Sequence, residues 1–172
     1  TKQKLIMAYM DEAGIGTSLP LTRMLLPWRE HMPLYFIQVL DIIPWVHIKD
    51  QGRDQLAMLE ITHKHAMRKG KRPAIRTGHK TSKSNTLAGS SYWWYMLFPG
   101  ARVFLTNSSF RQVRDINWYE IKALYRSAMI RGIELGGKMH EDPQIGLKLE
   151  DGREVVGFSA DEPEKAAGVS GR

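Results

Sequence analysis

The sequence feature that most constrains the fold is the segment RTGHKTSKSN, Arg76 to Asn85, with its Lys83-Ser84 pair. In a phosphate-binding loop, a lysine contacts the β- and γ-phosphates of a nucleotide, and the hydroxyl of the next Ser or Thr reaches Mg²⁺. Such a loop connects a buried strand to a helix, whose first N–H groups also bind the phosphates. The preceding segment PAIRT, Pro73 to Thr77, is compatible with a short strand, and Lys83–Phe98 is compatible with a helix.

The segment departs from the common pattern G-x-x-x-x-G-K-[ST] at both glycines. With Lys83 and Ser84 in the lysine and hydroxyl positions, Thr77 stands at the first glycine position and Ser82 at the second. Glycine lets the backbone curl and approach an anion without interference from a Cβ atom. The motif by itself therefore also fits a basic surface turn, and it is the predicted strand and helix on either side that favour a phosphate loop.

Three further helices and a strand are predicted from apolar spacing, capping residues and prolines. They cover Leu34–Ile43 between Pro33 and Pro44, Asp50–Lys69 before Gly70, the strand Ala101–Thr106, and a serine-capped helix that continues to about Arg131. The core face of this last helix is predicted to consist of Val113, Ile116, Ile121, Leu124 and Ala128. The strand Ala101–Thr106 is followed by small polar residues, as in a sheet that delivers side chains towards a nucleotide.

The segment IGLKLEDGREVVGFSA is predicted to form a hairpin, because Asp151-Gly152 supplies the positive φ angles of a tight turn between two alternating segments. Strands that alternate with helices indicate an α/β fold with a mainly parallel sheet and flanking helices. Residues 1–48 are apolar and interrupted by prolines, so we expect a helical N-terminal extension there, with the sheet-containing core in residues 49–172.

Composition narrows the class of protein. Lys and Arg number 25 and Asp and Glu 18, which gives a net charge of +7 and favours polyanionic partners such as nucleic acid. The absence of cysteine excludes disulfides, thiolate metal sites and cysteine nucleophiles. No uninterrupted apolar run reaches the about 18 residues that a membrane span needs, so we expect a soluble intracellular protein without a membrane partner.

The segment RTGHKTSKSNTLA resembles the ATP-binding loop of viral terminase large subunits of the tailed-bacteriophage type, in which R-S-G-H-G-V-G-K-S is a common form. Gly78, His79, Lys83 and Ser84 match that form, whereas Lys80 and Ser82 replace two of its glycines. Further segments resemble the family in the same order, so that the resemblance covers about residues 34–172. They are Pro44-Trp45, RDQLAML (Arg53 to Leu59), RVFLTNSSFRQVRDINWYEIK with Gln112, Val113, Trp118, Glu120 and Ile121 matching, and LEDGREVVGFSADEPEKAAGVSG.

The resemblance implies a P-loop ATPase that drives double-stranded viral DNA through a portal protein into a capsid, in the cytoplasm of the host cell. Family members act as a ring of subunits with a small terminase subunit, and they also carry a nuclease domain. Carried over to this sequence, Lys83 holds the β- and γ-phosphates of ATP, Ser84 binds Mg²⁺, and Gln55 contacts adenine. Arg76, beside the loop, is the candidate for stabilising transition-state charge. The residues implied to surround the phosphates are Thr77, Gly78, His79, Lys80, Thr81, Ser82, Lys83, Ser84 and Asn85.

The family next has an apolar strand that ends in Asp-Glu, which binds Mg²⁺ and activates water. The sequence ends at Arg172, where this strand is expected, and Asp161-Glu162 do not follow an apolar run. We therefore expect the front part of a longer protein, without the nuclease, that binds nucleotide but hydrolyses it poorly. Two alternatives stay open: another P-loop translocase such as a helicase, and a degenerate module that binds nucleotide or DNA without hydrolysis.

Other conspicuous residues are expected to be structural. His63 and His65 form an H-x-H pair, but side chains two positions apart on a helix diverge, which disfavours a shared metal ion. Trp93, Trp94 and Tyr95 are expected to pack in a core rather than to stack on bases.

Overall fold

A computed structural model of the chain describes residues 25–41, 51–66, 68, 74–76, 82–133, 135–142 and 144–159. The chain divides into two compact units, Thr1–Trp93 and Trp94–Arg172. The predicted boundary between a helical extension (residues 1–48) and a core (residues 49–172) is a different division, and it stays a prediction. The mixed α/β class is confirmed, with helices in both units and a four-stranded sheet in the second.

Helices make up most of the described part of the first unit. Helix α1 covers Leu25–Glu30, and α2 consists of Met32–Tyr35 followed by the π-helical turns Phe36–Leu40. Helix α3 covers Gln51–Ala66, and α4 covers Lys83–Leu97 and continues into the second unit. The predicted helices around Leu34, Asp50 and Lys83 are therefore confirmed.

The bounds of α2 differ from the prediction at both ends. The helix begins at Met32, because Pro33 is tolerated in a first turn, where its missing N–H would have no partner in the helix. It ends at Leu40, because Asp41 adopts the left-handed conformation with φ 58° and ψ 26°. A residue in that conformation commonly terminates a helix.

Aromatic side chains form the core of the first unit. Trp93 is 1% exposed, and its indole N–H donates to the carbonyl of Trp28 at 2.6 Å. The Trp28 ring meets Tyr35 edge-on at 5.9 Å, and its own N–H donates to Gln38 Oε1 at 2.7 Å. Because the indole donors are bonded, the rings are buried without the cost of an unpaired N–H. The expectation that Trp93 packs in a core is confirmed.

The second unit is built on the sheet. Its strands are β1 (Arg102–Asn107), β2 (Lys138–His140), β3 (Ile145–Lys148) and β4 (Glu154–Ser159), in the spatial order β1-β4-β3-β2. β1 and β4 are parallel, whereas β4–β3 and β3–β2 are antiparallel. The prediction of a mainly parallel sheet is therefore wrong for the described residues. The short connections after β2 and β3 are the reason, since they are too short for the crossover that parallel neighbours need.

A long helix, α5, connects β1 to β2. It consists of Phe110–Gln112, the π-helical segment Val113–Trp118 and Tyr119–Ile130, and Ser109 caps its start by accepting from the Gln112 N–H. Four of the five predicted core residues are buried, but Ile116 is 45% exposed. The π-helical turns are wider than α-helical turns, so the buried positions after Val113 shift to Asn117 and Trp118.

The predicted hairpin is confirmed as β3–β4, but its turn has a different geometry. The N–H of Gly152 donates to the carbonyl of Leu149 at 3.1 Å, and the Leu149 N–H donates to the carbonyl of Arg153 at 2.9 Å. Only Gly152, at φ 90°, has a positive φ in this turn, whereas the prediction required one at Asp151 as well. The connection is thus a three-residue loop with glycine at its left-handed position.

Arg153 joins this hairpin to the end of α4. Its guanidinium donates to the carbonyls of Tyr95, at 3.1 Å, and Met96, at 2.5 Å, and its Nε donates to Asp151 at 2.8 Å. The last carbonyls of a helix lack partners within the helix and carry its negative end. The arginine therefore satisfies both the hydrogen bonding and the electrostatics of this helix terminus.

We predict that Arg153→Met destabilises the protein by about 1.5–3 kcal/mol, the range for hydrogen bonds that involve a charged group. Arg114→Met is the matched control, because Arg114 is an exposed arginine that pairs with its neighbour Asp115, and it should leave the stability close to that of the wild type. Urea unfolding followed by circular dichroism measures both. Equal unfolding midpoints for the two variants would contradict the role of Arg153.

Candidate functional site

The candidate site lies at the start of α4. Among the described residues, the earliest hydrogen bond at this helix start runs from the Thr86 N–H to the carbonyl of Ser82, at 2.8 Å. The N–H groups of Ser84 and Asn85 precede this bond, and the first N–H groups of a helix have no carbonyl partner within the helix. The first turn contains no acidic residue. These donors and the positive end of the helix dipole together favour an anion.

Ser82 gives this helix start an unusual backbone. It is one of two non-glycine residues with a positive φ among the described residues, at 57°, and it lies directly before the helical Lys83. A left-handed residue next to a right-handed one turns successive N–H groups towards one point, as in anion-binding backbone nests. Ser82 stands where the phosphate-loop pattern has its second glycine, and it adopts a conformation that glycine adopts readily. The replacement therefore adds backbone strain but keeps a glycine-like conformation.

The structure describes only some of the predicted site residues. Ser82, Lys83, Ser84 and Asn85 are consecutive at the helix start; Lys83 is exposed and the other three are half-buried. Gln55 lies within α3. The remaining predicted loop residues, Thr77, Gly78, His79, Lys80 and Thr81, lie outside the described residues.

The structure describes part of the segment that was predicted to form a strand before the loop, and this part forms no strand. Ala74, Ile75 and Arg76 are exposed and form no strand. A strand buried in a parallel sheet normally consists of a nearly continuous apolar run, whereas Ile75 is the one large apolar residue in PAIRT. Arg76 therefore lies on an exposed segment.

A second predicted polar region lies where β1 and β4 end side by side. Asn107 pairs with Ser159 in the parallel register, and Ser159 is fully buried. Ser108 Oγ donates to Gln112 Oε1 at 2.6 Å, and the Ser108 N–H donates to Asn107 Oδ1 at 2.9 Å. The small polar residues after β1 thus bond mainly to one another and to the start of α5.

His63 contacts a backbone carbonyl and an aromatic ring. His63 donates through Nε2 to the carbonyl of Arg29 at 3.2 Å and meets Trp93 edge-on at 5.5 Å. Burial lowers the pKa of His63 below its ordinary value, against a smaller opposing effect of the Arg29 carbonyl. Across the described part of the chain, no three His, Asp or Glu side chains are grouped so that they could hold a metal ion.

Comparisons with known proteins identify no relative: no family model, curated protein or solved structure matches the chain. In the ranges that the structure describes, no helix is both long and apolar enough to cross a membrane.

We predict that glycine substitutions at Ser82 and Ser84 have opposite effects on the stability of the protein. Ser82→Gly should stabilise the protein by about 0.5–1 kcal/mol, because relief of the left-handed strain exceeds the added entropy of the unfolded chain. Ser84→Gly, at a helical position, should instead destabilise it by up to about 1 kcal/mol. Urea unfolding of both variants tests this pair of signs. If Ser82→Gly proves as destabilising as Ser84→Gly, the helix does not begin with a left-handed residue.

We also predict that His63 makes stability depend on pH. Because the pKa of His63 is lowered in the folded state, the unfolded state binds the proton more readily. The contribution is fully present above the ordinary pKa of 6.5 and is lost as the pH falls below it. The comparison is between the unfolding midpoints of wild type and His63→Gln from pH 8 to about pH 5. The difference between the two proteins should change over this range, and a constant difference would contradict the prediction.

Proposed function

We propose that the chain is the nucleotide-binding part of an ATPase motor of the terminase large-subunit type, which packages double-stranded viral DNA. The observation that carries this proposal is the start of α4, where a left-handed Ser82 precedes Lys83 and Ser84 and no acidic residue lies in the first turn. This combination suits a polyphosphate, because convergent N–H groups, a lysine and a hydroxyl occupy one helix terminus.

In this proposal the residues of the site divide the work of holding MgATP. Lys83 contacts the β- and γ-phosphates, and the Ser84 hydroxyl supplies one oxygen ligand to Mg²⁺, which prefers oxygen and takes its remaining ligands from phosphates and water. Both side chains lie in the first turn of α4, which fits these roles. Phosphoryl transfer requires mainly positioning and charge neutralisation, so lysine, hydroxyl and backbone donors are suitable groups.

Other parts of the proposal rest on the sequence resemblance. Gln55 contacts adenine, Arg76 stabilises transition-state charge, and residues 77–81 complete the phosphate loop. The partners are double-stranded DNA, a portal protein, a small terminase subunit and further copies of the chain in a ring. The site of action is the cytoplasm of the infected host cell.

A module that binds nucleotide without hydrolysing it is the second candidate. Ala74–Arg76 is exposed and outside the sheet, and a strained serine replaces glycine before Lys83. Both features depart from a phosphate loop that is fixed by a buried strand. Phosphate release measured at saturating MgATP separates the candidates, because binding without turnover favours the second.

We predict that MgADP and MgATP raise the melting temperature of the wild type and that Lys83→Ala abolishes this shift, because a ligand that binds only the folded state stabilises it. Lys64→Ala is the matched control, since Lys64 is an exposed lysine on α3. It should retain the full nucleotide shift. Differential scanning fluorimetry over a nucleotide titration measures all three proteins.

Two results of that titration would reject the proposed site. A wild type whose melting temperature does not respond to nucleotide shows that the start of α4 is a basic turn. An equal loss of the shift in Lys83→Ala and Lys64→Ala shows that nucleotide binds through general positive charge.

A further inference from the structure

A row of charged side chains crosses the sheet of the second unit. In the strand register, Lys138 of β2 lies opposite Lys148 of β3, Lys148 opposite Glu154 of β4, and Glu154 opposite Arg102 of β1. Residues that are directly opposite in neighbouring strands project from the same face. One face of the sheet therefore carries three cations and one carboxylate in a single row.

The single carboxylate of this row is already engaged. Arg102 Nε lies 2.6 Å from Glu154 Oε1, and the Glu154 side chain is only 18% exposed. Within the described part of the chain, no carboxylate lies at ion-pair distance from Lys138 or Lys148. Like charges directly opposite each other in a sheet destabilise it. The two lysines thus form a repulsive pair that an anion would relieve.

The lysine pair lines a groove of about 710 Å³, together with Gly137, His140, Leu149, Glu150 and Asp151. Of its two carboxylates, Asp151 is bound by the Arg153 guanidinium at 2.8 Å. Gly137, at φ 87°, brings the backbone so close to the Lys148 carbonyl that a Cβ atom would lie 3.0 Å from that oxygen. The groove is positive on the side of β2 and β3, where Lys138 and Lys148 lie.

His140 also lines this side of the groove, but its ring bonds to the backbone. It lies on β2 two residues after Lys138 and therefore on the same face, opposite Gly146. Its Nδ1 lies 2.6 Å from the carbonyl of Gln144, which can only accept, so Nδ1 carries a proton.

We propose that Lys138 and Lys148 bind the phosphodiester backbone of DNA. The side chains are exposed and form a short row of positive charges. Contacts between such cations and backbone phosphates account for much of the affinity of proteins for DNA. The assignment of the polyanion as DNA rests on the proposed function. The phosphate contacts carry no base specificity, so this surface holds DNA of any sequence, as a packaging motor requires.

The experiment measures binding of a fluorescein-labelled, mixed-sequence duplex to the full chain by anisotropy over a range of KCl concentrations. Lys138→Gln/Lys148→Gln should lower the affinity at least about tenfold at low salt. It should also reduce the slope of log K against log salt by about 1.8, because each DNA phosphate that a lysine neutralises adds about 0.9 to that slope. The melting temperature of this variant should stay equal to that of the wild type or rise, because the repulsion is removed.

The matched control is Arg111→Gln/Arg126→Gln, which removes two exposed charges from α5 in the same unit. Asp115 keeps its second partner, Arg114, at 2.8 Å in this control. The control should retain most of the affinity and the salt slope. Equal losses in the two double variants would overturn the proposal, because they would show that overall charge alone determines binding. Unchanged binding in the lysine variant would also overturn it and would leave the lysines as charges that protect the edge strand β2 from pairing with other chains.

Nucleotide binding measured on the same proteins separates this inference from the proposed function. If the lysine variant keeps the nucleotide-dependent thermal shift and loses DNA affinity, both stand. If the wild type shows no nucleotide shift and the lysine pair still accounts for DNA binding, the motor assignment fails and the phosphate-binding surface stands. If the nucleotide shift is present but DNA binding does not depend on the lysine pair, only the surface assignment fails.

Discussion

The parallel pairing of β1 with β4 is the constraint on which the second unit depends. Parallel neighbours cannot be joined by a tight turn, so the chain between them must leave the sheet and return. It does so through α5, whose π-helical segment packs on β1 and β4 with Val113 and Trp118 fully buried. Helix α5 also takes the chain to the far edge of the sheet, where β2 lies. Two short connections between antiparallel strands then lead from β2 through β3 back to β4. The directions of β2 and β3 follow from these short connections, which cannot join parallel neighbours.

The elements that could be predicted from the sequence are those whose signal is local. Gly152 marks the hairpin because a three-residue turn needs a left-handed residue, and Ser109 marks the start of α5 because a serine there caps the helix. The strand β2 could not be predicted, because Lys138–His140 is too short for a visible alternation and pairs with β3 through non-local hydrogen bonds. Ile116 fits a helical spacing, but the π-helical turns move it out of the core. PAIRT resembles a strand in residue type, yet its single large apolar side chain cannot supply the buried surface that a central strand needs.

The candidate site was predictable in position but not in conformation. Lys83, Ser84 and Asn85 lie at a helix start, as predicted, whereas the strand predicted before them is not found in its described part. The left-handed φ of Ser82 does not follow from the sequence, since serine has no intrinsic preference for it. This conformation costs about 1–2 kcal/mol, so interactions in the surrounding structure must stabilise it by at least that amount. Strained backbone residues cluster at ligand-binding sites, so this conformation supports the proposed site more than the loop sequence does.

The net charge says how much positive charge the chain carries but not where it lies. The location depends on which cations are paired with carboxylates. In the second unit, Arg102, Arg111, Arg114, Lys122 and Arg153 each have a carboxylate within ion-pair distance. Their charges are largely compensated at short range and add little to the field at a distance. Lys138 and Lys148 are not compensated in this way by the described residues, although they contribute the same formal charge. Part of the positive excess therefore lies on the β2–β3 face, where strand register rather than composition has placed it.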